Sequence, residues 1–240
     1  MKIMNFDIFV DSFESIDLTS KKVINTINAH SYMVSKSDKK FKEALQDSNI
    51  LIPDGSGIVL AARQIYGTSI KKISGSDLHE FLLDRINRKH GKIFYLGSSI
   101  STLEKILAKV KKDFPNITLE SYSPPFKTIF SHSENRAIVK KINTFEPDVL
   151  FVGMTAPKQE KWLHDQKKYL NFKIACSIGA VFDFYAETIK RPNIYFRKFF
   201  GESLPRFVKE PKRLWRRNLI SAPLFIIEIL LFKFKILKND

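Results

Sequence analysis

Residues 49–63 read N-I-L-I-P-D-G-S-G-I-V-L-A-A-R, and the echo G-S-D-L follows at 75–78. A short apolar run stops at Pro53, an Asp and two glycines follow, and a run of helical composition begins at Ile58. The pattern predicts a strand over 50–52, a tight turn, and a helix over 58–66 closed by Gly67. Open α/β folds bind ligands beyond the carboxyl ends of their strands, which puts Asp54 at the lip of such a crevice. Gly55 and Gly57 let the chain turn there and leave room for a ligand. Asp54 has two readings at this level, a cap for the following helix or a group that faces substrate.

The same grammar repeats on both sides. Upstream, a first strand is expected over 6–10. A helix is expected from Asp17, with Val23, Ile24 and Ile27 on one side, then polar Asn28, His30 and Ser31 at an element end. A second amphipathic helix over 37–47 carries Phe41, Ala44 and Leu45.

Downstream, Ser76 or Asp77 would cap a helix running through Asn87. Strand 93–96 then leads into the turn Gly97-Ser98-Ser99, where a helix amino terminus offers hydrogen bonds to a phosphate. Leu103, Ile106, Leu107 and Val110 mark the helix after it, Pro115 ends that helix, and 117–119 returns to the sheet. Residues 121–132 read as a ligand-side loop, and Ser131 with Glu134 as a capping box for a helix ending near Phe145.

Strand 149–152 is followed by Gly153 and by T-A-P-K-Q-E, where Thr155 would cap and Pro157 suits a first helical turn. Glu160 is explained by helix electrostatics. Lys158 is a cation at the wrong end of a helix, which favours an anion between it and the Gly153 turn, with Gln159 reading a sugar or base. Strand 173–178 then delivers G-A-V-F-D-F, in which Asp183 is either a satisfied structural carboxylate or a reader of sugar hydroxyls. Strand-then-helix repetition in one body predicts a Rossmann-like, mostly parallel sheet with helices on both faces over 1–200, followed by a basic helical appendage over 201–240.

Forty Lys and Arg against 25 Asp and Glu give a formal charge of +15. From position 191 onward there are twelve cations and four anions, so +8 lies in the last fifty residues, interleaved with Phe, Trp, Leu and Ile. Nucleic acid needs the charge but not the grease, whereas an anionic membrane surface needs both. The longest charge-free run in the tail, 219–227, is too short to span a bilayer, which takes roughly twenty residues, and Glu228 adds a further penalty. An interfacial helix is expected, with a partner subunit in a homo-oligomer as the alternative cover. The single cysteine excludes a disulfide framework, and the charged start M-K-I-M-N-F-D excludes a secretory signal, so a cytoplasmic setting is expected.

The five histidines are scattered, with no metal-ligand spacing and no Asp-x-Asp pair. Gly-x-Gly-x-x-Gly and the phosphate loop ending in Lys-Ser/Thr are both absent. A carboxylate base, polar turns on the ligand edge and a greasy basic tail together suggest chemistry between a soluble anionic donor and a membrane-held acceptor. A nucleotide- or nucleic-acid-binding protein and a scaffold of an assembly complex are the other classes.

Five blocks carry a resemblance: I-P-D-G-S-G-I-V-L-A-A-R, I-S-G-S-D-L, V-G-M-T-A-P-K-Q-E-K-W, I-G-A-V-F-D-F and P-R-F-V-K-E-P-K-R-L-W-R-R. In this order and spacing the chain resembles the WecG/TagA/CpsF glycosyltransferases of bacterial surface polysaccharide and teichoic acid synthesis. The resemblance implies inverting transfer of a sugar, N-acetylmannosamine or its uronic acid in the named members, from a UDP donor to an undecaprenyl-diphosphate-linked sugar at the inner membrane face. No cofactor or metal and no nucleic acid is implied.

By the same resemblance Asp54 is the general base, Gln159 lines the site, and Arg206, Arg213 and Arg216 or Arg217 belong to an appendage that covers it. Gly55, Asp77, Gly97, Ser98, Gly153, Thr155, Lys158 and Asp183 are the candidate donor contacts. The chain departs from the family's usual G-V-G-G in having Ser177 and Ala180, and from its Thr-x-Asn in having I-N-A-H-S.

Overall fold

A computed structural model describes residues 1–187 and 215–237, with side chains to 234. Its centre is a six-stranded parallel sheet in the order β4-β3-β8-β7-β5-β6. The strands are β3 (Lys22–Ile27), β4 (Ile50–Pro53), β5 (Lys92–Gly97), β6 (Thr118–Tyr122), β7 (Val149–Gly153) and β8 (Ile174–Ser177). Parallel strands need crossovers, which α1 (Ala29–Ser37), α2 (Lys39–Gln46), α3 (Ser56–Tyr66), α4 (Gly75–Arg88), α5 (Ile100–Asp113), α6 (His132–Phe145), α7 (Lys158–Gln166) and α8 (Gly179–Tyr185) supply or follow.

Successive strand residues point to opposite faces, and both faces are covered. Ile24, Ile52, Tyr95, Phe151 and Cys176 pack under α4, α5 and α8. Phe94, Leu96, Leu150, Val152 and Ala175 pack under α6 and α7, and Ile27 with Leu51 under α1, α2 and α3. The sheet and its two helical layers are those expected from the repeated strand-helix pattern. Cys176 is fully buried, and burial pushes its thiol well up.

Four local expectations are corrected. Residues 17–27 do not form a helix. The Asp17 carboxylate accepts from Thr19 N at 2.9 Å and from the Thr19 and Ser20 hydroxyls at 2.5 Å, a side-chain turn that competes with helix formation. The β-branched run after it then becomes β3 inside the sheet between β4 and β8, where burial on both faces removes the alternation that identifies a strand. The expected first strand at 6–10 is instead a small hairpin, β1 (Lys2–Ile3) with β2 (Phe6–Asp7), turned by Met4 and Asn5 at positive φ and separate from the main sheet.

The cap of α4 is Ser74, not Ser76 or Asp77, and Asp77 closes the reciprocal arm of that capping box. Thr155 caps nothing: α7 begins after Pro157, whose peptide bond to Ala156 is cis. Elsewhere boundaries move by a residue or two. Asp38 caps α2 and delays its start, α3 begins already at Ser56, and β6 takes in Ser121 and Tyr122 from the expected loop.

The expected appendage boundary at 200/201 lies outside the described residues, as does Ser203, the residue whose type suits a cap for the appendage's first helix. Residues Arg216–Ser221 form a π-helical turn that runs straight into α9 (Ala222–Leu237). Pro223 does not break this helix. It stands in the first turn of α9, and the widened π turn before it absorbs the missing hydrogen bond. Phe225 and Ile229 are buried in the same cluster as α1 and α3, and Glu228 faces the body, where it pairs with Lys36. Leu219, Leu224, Ile227, Leu230, Leu231 and Phe234 are exposed. No helix among the described residues is long and apolar enough to cross a membrane.

Candidate active site

All six carboxyl ends of the parallel strands meet one edge, in the order Pro53, Ile27, Ser177, Gly153, Gly97, Tyr122. The chain leaves β7 toward β8 and leaves β5 the other way toward β6, so the connections diverge between β7 and β5, the place where open sheets form a crevice. The residues beyond β4 and β3 lie side by side, since Ile27 registers with Pro53 and Asp54 N donates to Ile27 O at 2.9 Å. Asp54 is half-buried in this corner and engaged with a neighbour. It does not cap α3, whose N-cap is Gly55 at φ 100°, a conformation open to glycine.

Three other segments close on the same corner. Asn28 caps α1 in a capping box with Ser31, so the polar trio Asn28, His30 and Ser31 stands at the amino end of that helix. Ile73 N donates to Pro53 O at 3.1 Å and brings the start of α4 beside the Asp54 turn. Gly75 is there because a Cβ would lie 3.2 Å from Val181 and 3.4 Å from Ile178. An open cavity of about 680 Å³ begins beside it and runs between α4, α5 and α8, lined by Ser76, His79, Lys109, Val181, Phe184 and Tyr185.

The third segment is the tail. His30 Nδ1 lies 2.8 Å from Ser221 Oγ, and a Cβ on Gly57 would lie 3.3 Å from the Phe225 ring. Burial, and then the Arg217 guanidinium, hold the His30 imidazole below its ordinary pKa. Arg216 lies over the Trp215 ring at 5.3 Å. Arg206 and Arg213 lie outside the described residues.

The other candidates sort by strand. Gly97 and Ser98 both have positive φ, and a Cβ on Gly97 would fall 2.4 Å from Gly153 O, so close contact between the ends of β5 and β7 compels the glycine. Ser99 caps α5. At about 4.8 Å per strand, the Gly97 turn sits roughly 19 Å from Asp54 along the edge, and the Gly153 turn roughly 14 Å. Gly153 itself packs on the buried Phe182 ring.

Asp183 is half-buried on α8 and engaged with a neighbour. Thr155 is exposed. The Lys158 ammonium turns to the 127–130 loop, donating to Lys127 O and lying 3.8 Å from the centre of the Phe130 ring. Asp77 is exposed and spends its carboxylate on the cap.

Gln159 is turned inward. It is 5% exposed, its Oε1 accepts from Met154 N at 3.2 Å and Gly179 N at 3.1 Å, and its Nε2 donates to Glu160 Oε1 at 2.9 Å. Glu160 is also buried, and its pKa rises to about 7 because burial penalises the charged form. Its Oε2 has no hydrogen-bond partner among the described residues, and neither has the buried Ser177 hydroxyl on neighbouring β8. No group of three His, Cys, Asp or Glu among the described residues converges as a metal site would require.

Asn28 and His30, which the sequence placed at an element end without a site role, join this corner. Their signal was present, since polar residues directly after a strand are candidates, but 17–27 read as helix concealed the strand.

The sequence pattern of the Glycosyl transferase WecG/TagA/CpsF family matches residues 2–239. The chain is 28% identical over 224 residues to an N-acetylglucosaminyldiphosphoundecaprenol N-acetyl-beta-D-mannosaminyltransferase of Bacillus spizizenii, covering 92% of this chain and 84% of that one. It is 27% identical to proteins of the same name from Bacillus subtilis, over 94% and 86% of the two chains, and from Staphylococcus aureus, over 95% and 87%. With the five sequence blocks, the parallel α/β body and a match over nearly its whole length, the chain belongs to the Glycosyl transferase WecG/TagA/CpsF family and is a glycosyltransferase.

Proposed function

We propose that this protein moves an N-acetylmannosamine-type sugar from UDP, with inversion, to N-acetylglucosamine on undecaprenyl diphosphate at the inner face of the bacterial membrane. The relatives' names supply the sugar and the lipid acceptor. The observation that carries the reading for this chain is the corner where the Asp54 turn, the amino ends of α1 and α4, and the Arg217–Phe225 segment of the tail come together.

In this reading Asp54 takes the proton of the acceptor hydroxyl as that oxygen attacks the anomeric carbon from the face opposite UDP. The bond from that carbon to the UDP oxygen breaks, and the electron pair leaves with UDP. Arg217, with Arg206, Arg213 and Arg216, offsets the negative charge that grows there, a task for which no metal is invoked. Asp183, Ser98 and the Gly97 and Gly153 turns are donor contacts in the same proposal. The exposed apolar side of α9 supports a shallow membrane seat beside this corner, which brings the lipid diphosphate to the base.

The test is a panel of UDP-sugars against a short-chain polyprenyl-diphosphate N-acetylglucosamine, read by product mass and by the anomeric configuration of the new bond. One added N-acetylhexosamine in the β configuration is expected with UDP-N-acetylmannosamine. Absence of UDP release with every donor would leave a scaffold, and a retained anomeric configuration would remove the single-displacement mechanism.

A further inference from the structure

The Gln159–Glu160 pair is built in a way that stability does not explain. Gln159 Oε1 receives two backbone N–H groups, from Met154 just past β7 and from Gly179 just past β8. It thereby ties together the two central turns of the sheet's carboxyl edge. An amide has nearly the same shape at both ends, so two N–H groups facing its oxygen are secure only if the NH2 end has an acceptor. Glu160 Oε1 is that acceptor, at 2.9 Å.

The fit is close on the other side as well. A Cβ on Gly179 would fall 2.4 Å from Met154 O and 2.5 Å from Gln159 Oε1.

For Glu160 itself, burial outweighs the help that its carboxyl receives from Gln159, its own backbone N–H and Lys161. Glu160 is only 3% exposed, and its Oε2 finds no donor among the described residues. A glutamate third in a helix ordinarily bonds back to the backbone N–H of the cap residue. Here that residue is Pro157, which has none. A buried carboxyl with a free oxygen is costly, and an apolar side chain of the same length would suit the site better.

We propose that Glu160 is a positioning residue for transfer: by fixing the Gln159 amide it holds the 153–156 and 178–180 turns in the relative placement on which the reacting groups are aligned. This rests on the glycosyltransferase reading above. Glu160 touches no substrate in this scheme and acts only through Gln159.

Two substitutions test it. Glu160→Met keeps the length and removes the acceptor, while Glu160→Gln keeps an acceptor carbonyl. Glu160→Met is expected to melt at or above the wild-type temperature at pH 8. It should lose roughly 10- to 100-fold in kcat, the scale of a small misplacement, with acceptor KM little changed. Glu160→Gln is expected to stay within about threefold of wild type in kcat, because the amide of Gln159 remains pinned. Hydrogen exchange at the Met154 and Gly179 amides should accelerate in Glu160→Met and not in Glu160→Gln.

Wild-type kcat in Glu160→Met overturns the proposal. So does a Glu160→Met protein that melts several degrees lower or fails to fold, because the carboxyl then stabilises the fold. Unchanged exchange at both amides overturns it as well, and that readout needs no turnover. A wild-type protein that transfers no sugar sinks the functional reading separately, with the exchange experiment still deciding the brace.

Discussion

Two buried or half-buried carboxyls make different demands on this molecule. Asp54 sits at the corner where four segments meet, and replacing it by Asn keeps the shape while removing the proposed base. D54N is expected to fold and to bind UDP as wild type does, with turnover lower by roughly 10²- to 10⁴-fold. Steady-state kinetics at saturating acceptor decide it, and unchanged turnover removes Asp54 from the base role.

Glu160 makes its demand on stability. Burial raises its pKa from 4.5 in the unfolded chain to about 7 in the folded one. Between those values the folded state holds the extra proton, so the native state is fully favoured below about pH 4.5 and loses ground as pH rises to 7. The total loss is about 3 kcal/mol, because each tenfold difference in proton affinity between the two states is worth about 1.36 kcal/mol. E160Q does not ionise, so the gap in unfolding free energy between E160Q and wild type should widen by about that amount from pH 4.5 to pH 8. Urea titrations at the two pH values measure it, and a gap that stays constant refutes the buried charge.

At the scale of elements, the tail helix is held by one anchor more than by its ion pair. Phe225 is 1% exposed and stacks edge-on to Tyr32 at 5.2 Å, next to the Gly57 turn. Burial of an aromatic ring of this kind is worth about 3–5 kcal/mol when truncated to Ala. The Lys36–Glu228 pair has its lysine 47% exposed, and such pairs contribute at most about 1 kcal/mol. Limited proteolysis is therefore expected to cut the tail of F225A far faster than that of wild type, and K36A only slightly faster. Equal rates for the two variants would mean that the ring does not seat α9.

For the whole molecule the telling feature is where grease and charge are placed together. The body carries a π turn and an α9 whose outward side shows Leu219, and then Leu224, Ile227, Leu230, Leu231 and Phe234, on a chain of net charge +15. Flotation with anionic vesicles is expected to recover the protein at 0.1 M salt. Recovery should fall at 1 M, where the screening length drops from about 10 to about 3 Å. It should also fall when Leu230, Leu231 and Phe234 are replaced together by Ser. Recovery indifferent to both changes would remove the membrane seat while leaving the chemistry at Asp54 untouched.

Short-range signals made much of this legible in advance. The run through residues 49–67 carries its strand, its glycine turn and its helix end within nineteen positions, and Ser131 with Glu134 encodes a cap within four. The alternation of strands and helices dictated a parallel sheet with two helical layers, since parallel neighbours cannot be joined otherwise.

Tertiary structure alone decided the rest. Residues 22–27 became an inner strand because both its faces are buried and Asp17 just before it folds back on its own backbone. Gln159 turned inward to two N–H groups from different strand ends. Ser221 and Phe225 came to rest beside His30 and Gly57, more than 160 positions away in the chain. Periodicity and turn chemistry act between residues close in sequence, whereas which strand ends adjoin, and which carboxyl is left without water, depends on contacts that exist only once the sheet has closed.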